Sequence, residues 1–83
     1  MVTETVVLDR ADNSWRSIVN TGDYMVLAGH NGPFRLRFGV NSTSEGMIVE
    51  KGESLKVEET VYVRPVTIVN DRRQYTTLYV HKG

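Results

Sequence analysis

The two histidines, His30 and His81, are the residues best suited to acid–base chemistry near neutral pH. A histidine works as a general base when a carboxylate or a second histidine lies within hydrogen-bonding reach, and the sequence places neither beside them. His30 falls in a run of turn-forming residues, and His81 lies close to the C-terminus, where chains fray. We therefore predict two surface residues and no catalytic histidine. Without any cysteine, two histidines are also too few for a metal site, so we expect neither metal nor cofactor.

Three further groups of residues have the composition of functional motifs. The adjacent carboxylates Glu58 and Glu59 resemble an acid–base pair, but neighbours on a strand point to opposite faces and cannot flank one bond. The run Asp71-Arg72-Arg73 can contact phosphate, but a polar hairpin tip explains it without a ligand. Asn41-Ser42-Thr43 matches an N-glycosylation acceptor, which a loop rich in Ser and Thr also produces by chance. We predict that none of the three is a catalytic or cofactor site.

Tyrosines and arginines provide the strongest candidate for a functional surface. Tyr75 and Tyr79 alternate with residues assigned to the core, and Tyr62 alternates with valines in an earlier strand. Outward tyrosines on neighbouring strands would form an apolar surface with polar tips, which suits a protein–protein contact. Arg35 and Arg37 point outward by the same alternation, towards glutamates of this chain or acidic groups of a partner. We predict that these five residues form an interface; the alternative is that a second layer covers the tyrosines.

The elements that position these residues are β-strands, because apolar and polar residues alternate with a period of two. Turns containing Gly, Asn, Asp or Pro separate the strands at the short spacing typical of a β-sandwich or small barrel. The predicted strands are residues 2–9, 15–19, 24–28, 34–40, 47–50, 55–58, 60–64, 66–69 and 74–81. We predict an all-β, compact antiparallel β-sandwich, jelly-roll- or immunoglobulin-like, with about seven to nine short strands. Residues 1–83 form one domain, in which residues 1–10 are either the first strand or an extended N-terminal arm.

The same alternation assigns the core. Trp15 and Val19 are placed inward and Ile18 outward, and the run 24–28 is apolar on both faces, as in a strand covered on both sides. The predicted core consists of Trp15, Val19, Val26, Phe34, Leu36, Phe38, Val49, Leu55, Val57, Val61, Val63, Ile68, Leu78 and Val80.

Composition restricts the classes of function. Ten basic and ten acidic side chains cancel to a net charge of zero, which argues against nonspecific nucleic-acid binding. Arginines 35, 37 and 64 can gather on one face, but interspersed glutamates favour a mixed surface. The chain has no cysteine, no signal-like N-terminus and no apolar run of membrane-spanning length, so we expect synthesis in a reducing cytoplasm. A core of this size without a disulfide or a metal is marginal alone, which favours association with other copies.

From Trp15 to Val80 the order of these features resembles a family of very small β-sandwich proteins encoded among the structural genes of tailed bacteriophages. The features that carry the resemblance are, in order, Trp15, Tyr24-Met25-Val26-Leu27-Ala28, Gly32-Pro33, Arg35-Leu36-Arg37-Phe38-Gly39, a Ser-rich loop closing on Gly46, Gly52-Glu53-Ser54-Leu55 and Val61-Tyr62-Val63-Arg64. The resemblance implies a virion accessory part: a capsid decoration or cement protein, or a small tail or fibre component. It implies no catalytic residue.

The sequence therefore predicts a non-enzymatic structural protein of a virion, made in the host cytoplasm. It is expected to associate with itself, as a trimer by analogy with phage decoration proteins, and to dock on the major capsid protein or another virion protein. Residues 1–10 can add main-chain hydrogen bonds to a neighbour's sheet edge. The alternative is a carbohydrate- or receptor-binding module in which Trp15 or the tyrosines stack on the ligand. A small enzyme is disfavoured, because no nucleophile lies at a suitable spacing from a base. Neither nucleic acid nor a membrane is an expected partner.

Overall fold

The computed structural model describes residues 2–39, 46–67 and 70–83. These residues form eight β-strands, and no helix occurs among them. The strands are β1 (Val2–Asp9), β2 (Arg16–Ile18), β3 (Met25–Gly29), β4 (Phe34–Arg37), β5 (Met47–Val49), β6 (Ser54–Val57), β7 (Val61–Pro65) and β8 (Tyr75–Lys82). Within these ranges, no helix is long and apolar enough to cross a bilayer. The predicted all-β sandwich is confirmed.

Two antiparallel sheets are built from nested strand pairs. β1 pairs with β8, β2 with β7, β3 with β6 and β4 with β5. Two more pairings, β3 with β8 and β4 with β7, join them into sheet A, in the order β1-β8-β3-β6, and sheet B, in the order β2-β7-β4-β5. Nested pairing of the first strand with the last is the topology of a jelly roll. Of the two sandwich types predicted, the jelly roll is the one observed.

The core lies between the sheets, where alternate residues of each strand point inward. Its largest fully buried side chains are Phe34, Met25, Leu27, Leu36 and Leu78. The remaining buried apolar residues are Val6, Leu8, Ile18, Val49, Val57, Val61, Val63 and Val80. Leu55 is partly buried and packs against this cluster. Of the residues predicted in the core, Phe34, Leu36, Val49, Val57, Val61, Val63, Leu78 and Val80 are confirmed, and Ile68 lies outside the described residues.

Two strands face the opposite way from the prediction. In β3, Met25 and Leu27 are fully buried and Val26 is half-buried on the outer face. The run is apolar at every position, so its hydrophobic period could not select the inward face. In β2, Ile18 is buried, whereas Val19 follows the strand and is 53% exposed. A three-residue strand is too short for alternation to distinguish its faces.

Phe38 and Trp15 were also predicted in the core, and neither belongs to it. β4 ends at Arg37, so the alternation that runs on through Phe38 continues past the strand, and Phe38 is 49% exposed. Trp15 precedes β2 and is half-buried outside the core. The strand predicted at 66–69 is absent at residues 66–67, and residues 68 and 69 lie outside the described part of the chain. Pro65 ends β7, as a proline at a strand end should.

A buried arginine ties together the loops at one end of the sandwich. The Arg10 guanidinium donates to the Thr76 hydroxyl at 2.8 Å and to the Asn31 carbonyl at 3.2 Å. It also lies 3.0 Å from Asp71 Oδ2, and its side chain is only 8% exposed. Asn31 Oδ1 accepts from the Thr77 N–H at 2.6 Å, so the β3–β4 turn is fixed to β8. The prediction of a hairpin tip at Asp71-Arg72-Arg73 was wrong, because β7 and β8 belong to different sheets. Asp71 and Arg73 lie in the loop between the two sheets, where Asp71 pairs with Arg10.

Candidate functional site

The outer face of sheet A is broad and nearly uncharged. β1 contributes Thr3, Thr5 and Val7, which lie opposite His81, Tyr79 and Thr77 of β8. Tyr75 of β8 lies opposite Asp9, the last residue of β1. Val26 and Ala28 of β3 extend the face on the other side of β8. Val7 and Tyr75 are each 46% exposed. Charged residues occur at its margins, where Asp9 ends β1 and Lys56 lies on the edge strand β6.

Both histidines lie on this outer face and flank Tyr79. The His30 ring is 5.1 Å from the Tyr79 ring, with the planes tilted by 50°. His81 Nδ1 lies 2.9 Å from the Thr3 hydroxyl. His30 is exposed, as predicted, but His81 is half-buried in β8 between β1 and β3 rather than at a frayed end. Neither histidine is hydrogen-bonded to a carboxylate in the described part of the chain, so no catalytic dyad is formed there.

The outer face of sheet B is rich in arginine. Arg35 of β4 lies directly opposite Arg64 of β7, and Arg37 lies opposite Tyr62. Glu50, Glu53, Glu58 and Glu59 lie in the turns before and after β6, so they do not interleave with these arginines. Of the two roles predicted for Arg35 and Arg37, the first, an ion pair with Glu50 or Glu58 of the same chain, is not formed.

Trp15 organises the arginines of this face. Its ring lies 4.2 Å from the Arg37 guanidinium carbon and 4.8 Å from that of Arg64. A guanidinium stacked on an indole keeps its N–H groups pointing sideways, where they can donate in the guanidinium plane. The stack therefore holds two guanidiniums in fixed orientations beside Arg35. Nothing in the spacing of these residues indicates it, because Trp15 was assigned to the core.

Two shallow grooves open near this face. The first, of about 300 Å³, is lined by Asn13, Arg35, Arg64, Pro65, Val66 and Thr67. The second, of about 360 Å³, lies between the β1 and β2 edges and is lined by Val7, Leu8, Asp9, Asp12, Ser14, Trp15, Arg16 and Pro65. In the second groove the Ser14 backbone N–H, 2.9 Å from Asp12 Oδ1, and then the Ser14 hydroxyl hold the pKa of Asp12 below its ordinary value. The first groove is cationic and the second has carboxylates beside an indole.

The predicted five-residue interface is divided between two opposite faces. Tyr75 and Tyr79 lie on the outer face of sheet A, whereas Tyr62, Arg35 and Arg37 lie on that of sheet B. The direction of each side chain was correctly predicted, since Leu78 and Val80 are fully buried. The sequence did not predict which strands belong to the same sheet. The five residues cannot form one continuous patch.

The outer edge of β1 is less suited to pairing with another chain. The Val7 carbonyl accepts from Arg16 Nη1 at 3.2 Å, and the Asp9 carbonyl accepts from the Asp12 N–H at 3.0 Å. Glu4 occupies a position of inward parity on the same strand and pairs with Lys82 at 3.4 Å. Capped carbonyls and inward charges are devices that protect sheet edges. Residues 2–9 are also already paired with β8 along their whole length, so the predicted arm is not free.

Among residues 2–39, 46–67 and 70–83, no group of three or more His, Asp or Glu side chains is placed to hold a metal ion. No family model, no curated protein and no solved structure matches the chain.

Proposed function

We propose that the chain is a non-enzymatic structural protein of a bacteriophage virion, in the first place a capsid decoration protein. In this proposal it associates with copies of itself and docks on a larger virion protein; a small tail or fibre component is the closest variant of the same idea. The proposal that the chain is a virion protein is based on the resemblance of residues 15–80 to small phage β-sandwich proteins. The docking part of the proposal is supported by the chemistry of the outer face of sheet A.

That face has the chemistry of a protein contact. Apart from Asp9, the residues that β1 and β8 contribute to it are β-branched or aromatic, and tyrosines combine a large apolar ring with a polar tip. One partner buries ~800 Å² in a standard interface, which is roughly a sixth of the 5100 Å² that this molecule exposes. A flat, nearly uncharged surface can bury most of its area without desolvating charge. We therefore assign the virion contact to sheet A.

The topology adds an argument by analogy. Jelly rolls are common in viral capsid and lectin domains, although the same fold supports unrelated functions. The analogy supports a virion component and, to the same degree, a carbohydrate-binding module. Only the surface chemistry can therefore distinguish a virion component from a carbohydrate-binding module.

The docking proposal is tested by deleting the gene from the genome that carries it and adding purified protein back to the resulting particles. The wild-type chain should cosediment with them and restore density in electron micrographs, on the head for a decoration protein and on the tail for the variant. A Val7→Asp, Tyr75→Asp chain should stay folded and lose binding, because it introduces charge into the uncharged face. A Phe38→Asp chain is the matched control, since Phe38 is 49% exposed, follows β4 of sheet B and does not line the groove of Arg35 and Arg64. Particles that neither change on deletion nor bind the added chain would overturn the proposal.

A carbohydrate-binding module is the second candidate, and the groove beside Trp15 favours it. Sugars are bound by an aromatic ring together with planar hydrogen-bonding side chains, and this groove combines Trp15, Asp9, Asp12 and Arg16. The guanidiniums of Arg37 and Arg64 cover part of the indole surface, however. The ring is thus not an open stacking platform, and this candidate ranks second.

A glycan array separates the two candidates. A sugar ligand should be lost both on Trp15→Ala and on Asp12→Asn, which lines the groove without supporting Arg37 or Arg64. Loss on Trp15→Ala alone would point to disturbance of the arginine stack instead of lost sugar contacts.

A further inference from the structure

The cationic groove on sheet B has the features of a carboxylate socket. Arg35 and Arg64 lie directly opposite each other across β4 and β7, and both line the groove. Asn13 and Thr67 add a side-chain amide and a hydroxyl to the lining. Arg35 has no ion pair with any residue that the structure describes. Guanidiniums recognise carboxylates through paired N–H donors, so the groove suits acidic side chains.

The same chain carries an exposed acidic turn. Glu58 and Glu59 are exposed in the turn between β6 and β7, and neither has an ion pair in the described part of the chain. Asn20 fixes this turn: its Nδ2 donates to the Glu58 carbonyl at 2.9 Å, and its N–H donates to the Thr60 hydroxyl at 3.3 Å. The two carboxylates therefore project from a braced backbone.

The acidic turn and the socket cannot meet within one molecule. Glu59 precedes the first residue of β7, and Arg64 is close to its last residue. Five residues of extended chain separate them by roughly 16 Å, and the strand between them is held in a sheet. A contact between the two must join different copies. Because the surfaces are different, it is head-to-tail, and such contacts generate closed rings or open filaments.

We propose that copies of this chain associate head-to-tail, with the Glu58-Glu59 turn of one copy bound in the Arg35–Arg64 groove of the next. This rests on the self-association in the proposed function and identifies its contact. The outer face of sheet A stays free for docking on the virion. In a closed ring of any number of copies, every turn lies in the groove of a neighbouring copy. Charge complementarity of this kind also explains how a chain of zero net charge assembles in a defined orientation.

Charge reversal tests the proposal, with sedimentation velocity on the full chain at micromolar concentration as the readout. Arg35→Glu and the Glu58→Arg, Glu59→Arg pair should each raise the dissociation constant of the oligomer by about tenfold or more. A chain carrying all three changes should associate again, because the charges of turn and groove are exchanged. Arg72→Glu and the Glu50→Arg, Glu53→Arg pair are matched reversals outside the contact and should leave the oligomer unchanged. Circular dichroism verifies that each chain is folded.

The wild-type chain gives a measurement that needs no variant. Raising the salt concentration from 0.05 to about 0.5 M should dissociate the oligomer, since screening at this ionic strength acts within a few ångströms. An oligomer that persists through the charge reversals and through high salt would overturn the head-to-tail contact and leave virion docking to be judged by cosedimentation. A wild-type chain that is monomeric at all concentrations would overturn the self-association as well.

Discussion

Arg10 Nη1 lies 3.0 Å from Asp71 Oδ2, which joins the end of β1 to the loop before β8. Three further hydrogen bonds from the same guanidinium reach Thr76, Asn31 and the Arg73 carbonyl. The loops at this end of the jelly roll are therefore held by one side chain. Gly32 is packed so closely that a Cβ there would lie 2.8 Å from the Arg10 guanidinium.

Arg10→Ala should be among the most destabilising substitutions outside the core. It removes the donor to the fully buried Thr76 hydroxyl, and leaving a buried polar group without its partner costs about 1–3 kcal/mol. That is a large fraction of the folding free energy of a domain of this size, which is about 5 kcal/mol. Urea unfolding followed by tryptophan fluorescence measures the loss. As a control, Arg72→Ala removes an exposed arginine from the same loop and should cost less than ~0.5 kcal/mol. If the two variants lost the same free energy of unfolding, Arg10 would not be the residue that holds these loops together.

Asp71 should make stability depend on pH in the acid range. The Arg73 backbone N–H, and after it the Arg10 guanidinium, hold the pKa of Asp71 below its ordinary value. A lowered folded-state pKa contributes stability that is fully present above about pH 4 and is lost as the pH falls through the folded-state pKa. Asp71→Asn should therefore flatten the fall in melting temperature below about pH 4 while lowering stability at pH 7. Parallel acid profiles for the two proteins would contradict this assignment.

Sequence reasoning recovered the strands, the turns and the direction of most side chains, because these are local properties. It failed where the pattern itself carries no information. Every residue of Tyr24–Ala28 is apolar, so alternation could not show that Met25 and Leu27, rather than Val26, face the core. In β4 the alternation runs on to Phe38 although the strand ends at Arg37.

The sequence also could not predict which of the candidate residues lie on the same face of the sandwich. Tyr62 and Tyr79 both point outward, as predicted, yet they lie on opposite faces of the sandwich. β1 pairs with β8 and β2 pairs with β7, which puts Tyr79 and Tyr62 in different sheets. These strands are far apart in the sequence, so no local sequence pattern predicts that they pair. The Arg10 network and the Trp15 stack are equally non-local, since each joins residues from separate loops and strands.

Phe34→Ala should be far more destabilising than Phe38→Ala. Phe34 is fully buried and Phe38 is 49% exposed. Removing a buried phenylalanine ring costs ~3–5 kcal/mol, which would leave Phe34→Ala largely unfolded. Phe38→Ala should cost less than about 1 kcal/mol, because most of its ring area is already in water. Thermal melts of the two chains provide the comparison, and a reversed order would restore the sequence-based assignment of Phe38 to the core.

Trp15→Ala should perturb the arginine face while leaving the core intact. Each cation–π contact contributes about 0.5–1 kcal/mol at a partly exposed site, so losing both should cost ~1–2 kcal/mol of folding free energy. The larger effect is expected on association, because Arg64 loses the ring that orients its guanidinium in the groove. Trp15→Phe retains a smaller ring and should recover part of the oligomer in sedimentation velocity. If Trp15→Ala were to unfold the chain as completely as Phe34→Ala, the indole would belong to the core. If it instead left the oligomer unchanged, the stack would not position the groove, and Arg35 would have to act without it.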